Sequence, residues 1–479
     1  MKTNVIFSLV IGLLYVSPLS LKAYDFKMDG IYYNFVSGTT DQVAVTYDNV
    51  SYEYYRGDIV VPKTVSWNNK TYTATVIGNS AFESCSNLTS INLPNSITTI
   101  GNNAFESCSN LVSINLPNSI TTIGYYAFEY CRSLTSIAIP KSVTIIESGA
   151  FYDCRVLTSI TIPDSVTTIR SSAFYNCIDL TSIIIPKSVT SIESGAFNGC
   201  GSLASITLPE SISTIGDKAF YGCKFSSVKI PNSLTSISGN SFGGNYFTTV
   251  EVDVNNSNFS VADGILYNKA KTKLVLYPTG KKESALIVPS SVDSIGDYAF
   301  YSCSNITSIT LPKTVKNIGN ETFWYCSNLA SINMPQSLKT IGSWAFESCR
   351  NLKEITFPDS LKTIGYAAFE MCGFSTITIP AGTKSLFEAA PVWQDFKNIV
   401  EKWPAGIPVI QPEPKVFVSG NTLHLNTPVS ETVSVYSISG QLLYSTDKSA
   451  GEKQISLENS RNNIVIVKGS SGWVRKVRF

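Results

Sequence analysis

The chain has 479 residues, with 36 basic against 35 acidic side chains and one histidine. This near-neutral balance, without a long Lys/Arg run, argues against tracking of phosphate or anionic lipid, so nucleic acid is not an expected partner. Because His424 is the only histidine, a His-based triad in the body of the chain and a multi-histidine metal site anywhere are excluded.

Residues 1–23 read as a secretory signal: Lys2 supplies the positive start, Val5 to Val16 the apolar run and Ala23 the small residue at the cut. The run is too short to span a bilayer, and nothing later resembles a transmembrane segment. No cysteine follows it, which argues against a lipid-anchored lipoprotein. Residues 24–75, with YDFKMDGIYYNFVSG, QVAVTYD and YTATVIG, read as strands of an N-terminal β cap, and IVVPKTV already mimics a later repeating strand.

From there a 23-residue period governs the chain. Cysteines recur at Cys85, Cys108, Cys131, Cys154, Cys177, Cys200 and Cys223, then at Cys303, Cys326, Cys349 and Cys372, accounting for all 11. Fixed-period self-similarity indicates one elongated array of stacked units. Within a unit, Ala104, Phe105, Cys108 and Leu111 share one side of an expected short helical or 3₁₀ segment. Ile114 and Leu116 alternate with Ser113 and Asn115 as in a half-buried strand, which Pro117 ends; Ile120 and Ile123 continue inward and Gly124 turns the chain. The expected fold class is a repeat solenoid, mainly parallel β with short helical turns, in which stacking closes a core that no coil closes alone. The thiols read as small buried hydrophobes or as occasional bridges, and the odd total leaves at least one free. No CxxC pair supports a redox or zinc site.

The first repeat block is residues 76–236. Between Cys223 and Cys303 the register breaks, and residues 237–288 read as an irregular coil in which NFSVADGILYNKAKTKLVLYPTG inserts a β-hairpin, either a wedge or a binding loop. A second block covers 289–380, a C-terminal cap 381–402 and a Pro-rich linker 403–415. Residues 416–479 change character, with VFVSGNTLHLN, TVSVYSISGQLLYST, KQISLEN and NIVIVKGSSGWVRKVRF as strands of a small β-sandwich.

The unit AFESCSNLTSINLPNSITTIG closely resembles the BspA-type leucine-rich repeat of surface proteins in Bacteroidetes and some mucosal protists, over about residues 56–385. Glu147, Arg170 and Glu193 replace its glycine in three coils, so that position need not adopt positive φ. The resemblance implies a right-handed parallel solenoid, a secreted or outer-surface location, and adhesion to host matrix or plasma proteins or to other microbes. It brings no shared catalytic residues. It also likens TITIPAGTKSLFEAAPVWQDFKNIVEK to the family's C-terminal cap, ending in an amphipathic helix. VSVYSISGQLLYS and WVRKVRF are similar to type IX secretion sorting domains, although Asn463-Ile464-Val465 stands where a Gly-x-Tyr is usual. That likeness implies outer-membrane export and attachment; the alternative is a plain terminal β-domain.

Carboxylates give no catalytic pair, since Glu83, Glu106 and Glu129 recur through one repeat slot, and no phosphate-binding loop or cofactor motif appears. Catalytic, cofactor and metal residues are therefore all expected to be absent. What remains is surface. Ser90, Ser113, Ser136, Ser159, Ser182 and Ser205 should form an outward hydroxyl column, with Asn92, Asn115, Thr161 and Thr207 beside it. Aromatics fill variable positions of the turn: Tyr125, Tyr126, Tyr130, Tyr152, Tyr175 and Tyr221 in the first block, Tyr298, Tyr301, Trp324, Tyr325, Trp344 and Tyr366 in the second. Such side chains supply contact area at little entropic cost, and equally pack between neighbouring turns. The expected function is that of an exported, non-enzymatic, adhesin-like surface protein, with host proteins or other microbial surfaces as partners. A structural spacer and a glycan-capturing protein are the alternatives.

Overall fold

The structure, a computed structural model, describes residues 23–48, 55–238, 240–380, 399–402, 415–419, 422–427, 431–437, 441–448, 451–456, 464–470 and 474–478. The signal before Ala23, the linker before Lys415 and all of the C-terminal cap but Ile399–Lys402 lie outside them, and those four residues form a strand where the end of an amphipathic helix is expected. The chain divides into two compact units, Met1–Glu401 and Lys402–Phe479.

The first unit is a parallel β-solenoid of about 13 coils with roughly 23 residues per coil. Most regular coils make a short strand, turn at the proline, make a second short strand and return through tight turns; at Ser113 and Asn115 the first strand is reduced to isolated bridges, and at 204–208 none forms. First strands pair in register across coils, as Ser136–Ala138 with Ser159–Thr161 and that strand with Ser182–Ile183. Second strands do the same, Thr168–Ile169 with Ser191–Ile192 and then Thr214–Ile215. Alternation sets the facing: Ile137 is buried while Ser136 and Ala138 are exposed.

The expected helical segment is absent from the described residues. The AFxxC stretch is a run of tight turns, for a reason visible in its hydrogen bonds. Alternate N–H groups leave the coil: Ser80, Phe82 and Ser84 donate to the carbonyls of Asn102, Ala104 and Glu106, while Ala81, Glu83 and Cys85 donate three residues back. Two positions per coil therefore take left-handed φ, the one before the alanine and the one before the cysteine, as in Ser80 (φ 56°) and Ser84 (φ 57°). A helix would satisfy those groups internally and forfeit the link to the next coil. The turn glycines Gly101 and Gly124 are not left-handed, in keeping with Glu147, Arg170 and Glu193 in their slot.

Side chains bridge coils at the corners. The serine after proline donates to the preceding coil, Ser119 Oγ to the Ile97 carbonyl and Ser165 Oγ to Val143, both at 2.6 Å. The cysteine does the same elsewhere: Cys131 Sγ donates to the Phe105 carbonyl and Cys154 Sγ to Phe128, both at 3.1 Å. All 11 thiols are unbridged, and burial is the main reason each described shift raises the thiol pKa, to about 11 for Cys85 and about 12 for Cys223. The 23-residue cysteine period thus supplies a small buried side chain that also donates a weak hydrogen bond to the neighbouring coil. Asn245 holds that slot in the irregular coil, its Nδ2 donating to the Phe220 carbonyl at 2.7 Å.

Beside the thiols runs a phenylalanine stack. Rings from Phe82 to Phe220 sit 5.1 to 5.5 Å apart, and those from Phe300 to Phe369 4.8 to 5.0 Å apart. The buried apolar side chains form two clusters that meet in the irregular region, one reaching Leu276 and the other starting at Ile265. There the single expected hairpin is a three-stranded meander. Phe259–Ala262 turns into Ile265–Asn268 through Asp263 (φ 49°) and Gly264 (φ 73°), the two positive φ values that a tight hairpin requires. Its third strand, Lys273–Leu276, leaves the meander to pair in parallel with Ser294–Ile295, restarting the second-strand column. Buried Asn256 ties the meander down, donating to the Pro231 and Leu234 carbonyls and accepting from Phe259 N.

At the N-terminal side, Phe26–Met28, Ile31–Phe35 and Gln42–Thr46 are antiparallel, and the last runs parallel to Lys70–Ile77. Gly57–Val60 pairs in parallel with Leu88–Asn92, the repeat-like pairing its sequence suggests. In the second unit, Lys415–Ser419, Thr422–Thr427 and Gly451–Ser456 form one antiparallel sheet. Leu442–Lys448, Glu431–Ser437, Ile464–Gly469 and Val474–Arg478 form another. Leu423, Leu425 and Ile455 from the first share a core with Val433, Val435, Val465 and Val467 from the second. His424 stacks on Phe417 across the strand pair, with ring centroids 4.7 Å apart.

Candidate functional site

Twelve aromatic positions follow from the repeat, and the turn geometry distributes them among four slots. Tyr125 and Tyr366 follow the turn glycine; Tyr126, Tyr298 and Trp344 precede the alanine. Tyr152, Tyr175, Tyr221, Tyr301 and Trp324 follow the phenylalanine, and Tyr130 and Tyr325 precede the cysteine. The structure does not join them into one ridge. Tyr130, Tyr152 and Tyr175 contact one another in sequence, the last pair parallel at 4.6 Å. Asn198 then occupies the slot between Tyr175 and Tyr221 and interrupts the row.

The second group begins at Tyr221, whose ring crosses Gly243 and Gly244 and whose hydroxyl meets that of Tyr301 at 2.8 Å. Tyr301 packs edge-on to Trp324, and Trp324 stacks on Tyr325 at 5.4 Å. Trp344 packs edge-on to Tyr366 at 5.5 Å. Packing thus accounts for the slot after phenylalanine, where Tyr301 is only 8% exposed. Tyr125, Tyr126, Tyr325, Trp344 and Tyr366 are exposed, Tyr366 most at 67%.

Five of the aromatics carry a backbone cost. Tyr126, Tyr130, Tyr298, Tyr325 and Trp344 hold φ between 52° and 58°. Other coils fill those two slots with Gly149, Gly195, Gly199 and Gly222 or with mostly small or polar residues such as Ser80, Asn103, Ser107 and Ser172, all at positive φ. The left-handed region costs a residue with a Cβ roughly 1–2 kcal/mol, so an aromatic there is opposed by the backbone.

Charges gather beside the first group. Asp153, 2% exposed, receives Arg132 at 2.8 Å and Arg155 at 3.0 Å, and the Arg132 guanidinium lies over the Tyr130 ring. Burial, then the charges of Glu106 and Asp153, raise the Glu129 carboxyl to about 7. Arg170 Nη1 donates to Glu147 and to the Tyr125 hydroxyl, both at 2.8 Å. In the second group the Tyr298 hydroxyl donates to Glu321 at 2.7 Å, and burial is the main cause of a raised Glu321 pKa. Among the described residues no group of three His, Cys, Asp or Glu is placed to hold a metal.

The hydroxyl column lies where alternation places it, outward on the first strands, with Ile184 strongly exposed among its polar neighbours. Reading the sequence missed two grooves along the second strands. One, of about 440 Å³, runs past Ser171, Ser191, Glu193, Thr214 and Ser236. The other, of about 470 Å³, crosses five coils from Lys273 to Thr363. Its signal was present in the unbroken row Gly296, Gly319, Gly342 and Gly365.

No helix among the described residues is long and apolar enough to cross a membrane. The family model described as BspA type leucine rich repeat region (6 copies) matches residues 65–181, 167–283 and 277–390. A leucine rich cell surface protein from Faecalibacterium prausnitzii has a similar structure at 27% identity, with a TM-score of 0.59, covering 79% of this chain and 95% of that one. A leucine-rich repeat protein from Bacteroides ovatus is also 27% identical, with a TM-score of 0.47, covering 80% of this chain and 100% of that one. The T. pallidum leucine rich repeat protein is 30% identical over 40% of this chain and 86% of its own, with a TM-score of 0.37. No curated protein matches the chain. Matching most of its length, the repeat model places this chain in the BspA-type leucine-rich repeat family.

Proposed function

We propose that this chain is an exported cell-surface binding protein, adhesin-like and non-enzymatic, whose solenoid engages host matrix or plasma proteins or the surfaces of other microbes. The observation that carries this reading is the set of five aromatics held at left-handed φ in slots that other coils fill with glycine or, more often, with small or polar residues such as Ser107, Asn103 and Ser348. Strain kept against an easy alternative marks positions held for another reason, and exposed Tyr and Trp are strong anchors for a protein partner. The sequence of residues 1–23 and the sorting-like strands of residues 416–479 support export and surface attachment. Family membership supports surface display.

The test is binding of the intact exported chain to immobilised matrix and plasma proteins and to whole microbial cells. A Tyr125→Ser, Tyr126→Ser, Tyr325→Ser variant with the same unfolding midpoint serves as comparison. Saturable binding weakened about tenfold or more in the variant is expected, as for loss of central aromatic anchors. Absence of saturable binding by the intact chain would leave a spacer role as the better reading.

A further inference from the structure

We propose that the groove along the second strands of the second block binds an extended, uncharged polysaccharide lying across the coils. This site is separate from the turn face argued above for protein partners, apart from the aromatic pair just beyond its far end. It is bounded by two rows of hydrogen-bonding groups. Ser294, Asn317, Thr340 and Thr363 project from successive strands, and Asp297, Asn320 and Ser343 from the adjoining turns. Coil stacking uses only part of this capacity. Asp297 Oδ1 accepts from Asn320 N at 2.6 Å and Asn320 Oδ1 from Ser343 N at 2.9 Å. Asn317 Oδ1 accepts from Thr340 Oγ1 at 2.9 Å. The Nδ2 groups of Asn317 and Asn320 and the second oxygen of Asp297 have no partner among the described residues.

Glycine lines the groove and lets successive coils approach closely. Between the rows run Gly296, Gly319, Gly342 and Gly365, and a Cβ at Gly342 would lie 2.5 Å from Asn320 N. In the first block the same slot carries Glu147, Arg170 and Glu193. Arg170 spans to Glu147 and Tyr125 there, and Glu193 accepts from the Ser171 hydroxyl at 3.0 Å. These charged side chains fill part of that row, and Glu193 lines the first-block groove, whereas no charged side chain interrupts the glycine row of the second block.

Two further features indicate a sugar chain. Stacked coils repeat at about 4.8 Å, so the groove offers polar side chains at each step, a spacing close to the advance of one pyranose ring in an extended glycan. Just beyond its far end, after Gly365, Tyr366 takes the slot of Asp297, Asn320 and Ser343, with Trp344 edge-on beside it. Aromatic faces suit the apolar face of a pyranose, and Ser, Asn and Asp suit its hydroxyls. Lys273 and Asp297, near the opposite end, leave the lining without net charge. No large apolar pocket is present in the lining to anchor a peptide side chain.

The experiment uses the intact chain with hexasaccharides of β-linked glucose, xylose and mannose, beside hexagalacturonate as the acidic arm. Readouts are calorimetric binding and the shift in unfolding midpoint. A Thr340→Val, Tyr366→Ala variant and a Ser159→Ala variant on the distant hydroxyl column, each with the parent's ligand-free midpoint, are compared. A neutral hexasaccharide is expected to bind and raise the midpoint, about tenfold more weakly in the groove variant and unchanged in Ser159→Ala. The proposal is overturned if no neutral sugar binds, if only the acidic one does, or if the groove variant binds like its parent. Protein adhesion through the turn face stands or falls separately.

Discussion

In the first block, Phe82 to Phe220 stack beside Cys85 to Cys223; in the second, Phe300 to Phe369 stack beside Cys303 to Cys372. Core and corner hydrogen bonds repeat in both. The outward slots differ. The row after the second strand is interrupted by Glu147, Arg170 and Glu193 in one block and is all glycine in the other, and tryptophan enters the turn slots, as Trp324 and Trp344, only in the second. Stacking imposes identity on whatever faces a neighbouring coil, because each coil is both donor and acceptor for the next. It leaves the remaining positions free, and differences in binding should reside there.

The comparison breaks most readily through the core. Phe346→Ala and Phe151→Ala each remove a fully buried ring from one stack and should cost about 3–5 kcal/mol, read from urea unfolding. Similar losses are expected, since the stacks are equivalent; a cost below about 1 kcal/mol at either site would show that its coils close without the stack.

A smaller effect is expected from exchanging the glycine row. Gly342→Glu copies the first block into the second, and its Cβ would press on the Asn320 backbone. A loss of about 1–3 kcal/mol should follow from overpacking. Equal stability with the parent would mean that the coils separate at little cost and that glycine is retained only for the groove.

Tyr126→Asn tests the strained aromatics, since Asn103 holds the same slot at φ 56° one coil earlier. The substitution should leave stability unchanged or raise it by up to about 1 kcal/mol while weakening adhesion, because Asn tolerates left-handed φ. A loss above that amount would mean that the Tyr126 ring on Gly149 is a packing contact.

The smallest effect concerns pH. Burial first, then Glu106 and Asp153, raise the Glu129 carboxyl, so the fold favours its protonated form. Its stabilising contribution is complete below the ordinary glutamate value of about 4.3 and is lost as pH rises through about 7. Glu129→Gln should flatten unfolding midpoints across that window, and an unaltered profile would assign the dependence to another group.

Much of the architecture was legible from 23-residue spacing, because every coil meets the same neighbour and the apolar positions recur in register. Ile114, Leu116 and Pro117 announced the strand and its end, and Phe105 and Cys108 the core. The turn was misread as helical because Ala104, Phe105, Cys108 and Leu111 fit a helical face equally well. Only the hydrogen bonds from alternate N–H groups to the next coil distinguish the two. The expected hairpin is present as Ile265–Asn268 against Lys273–Leu276, but the sequence did not show that Phe259–Ala262 adds a third strand or that Lys273–Leu276 also pairs a coil away with Ser294–Ile295.

The aromatic positions were also legible, but not their division: nothing local says that Asn198 interrupts the row or that Tyr221 reaches Tyr301 across 80 residues. The groove was hidden for the same reason. A glycine every 23 residues reads as a turn, and becomes a channel only when stacking aligns four of them.

The sequence by itself determined the period, the buried faces and the lack of histidine in the repeat array, because these depend on residue type and spacing alone. Tertiary structure decided that the thiols donate to neighbouring carbonyls and stay unbridged, that bulky Tyr and Trp occupy left-handed turns, and that one glycine row lines a groove. Each depends on what the adjacent coil places within a few ångströms, and that contact is made only when the coils stack.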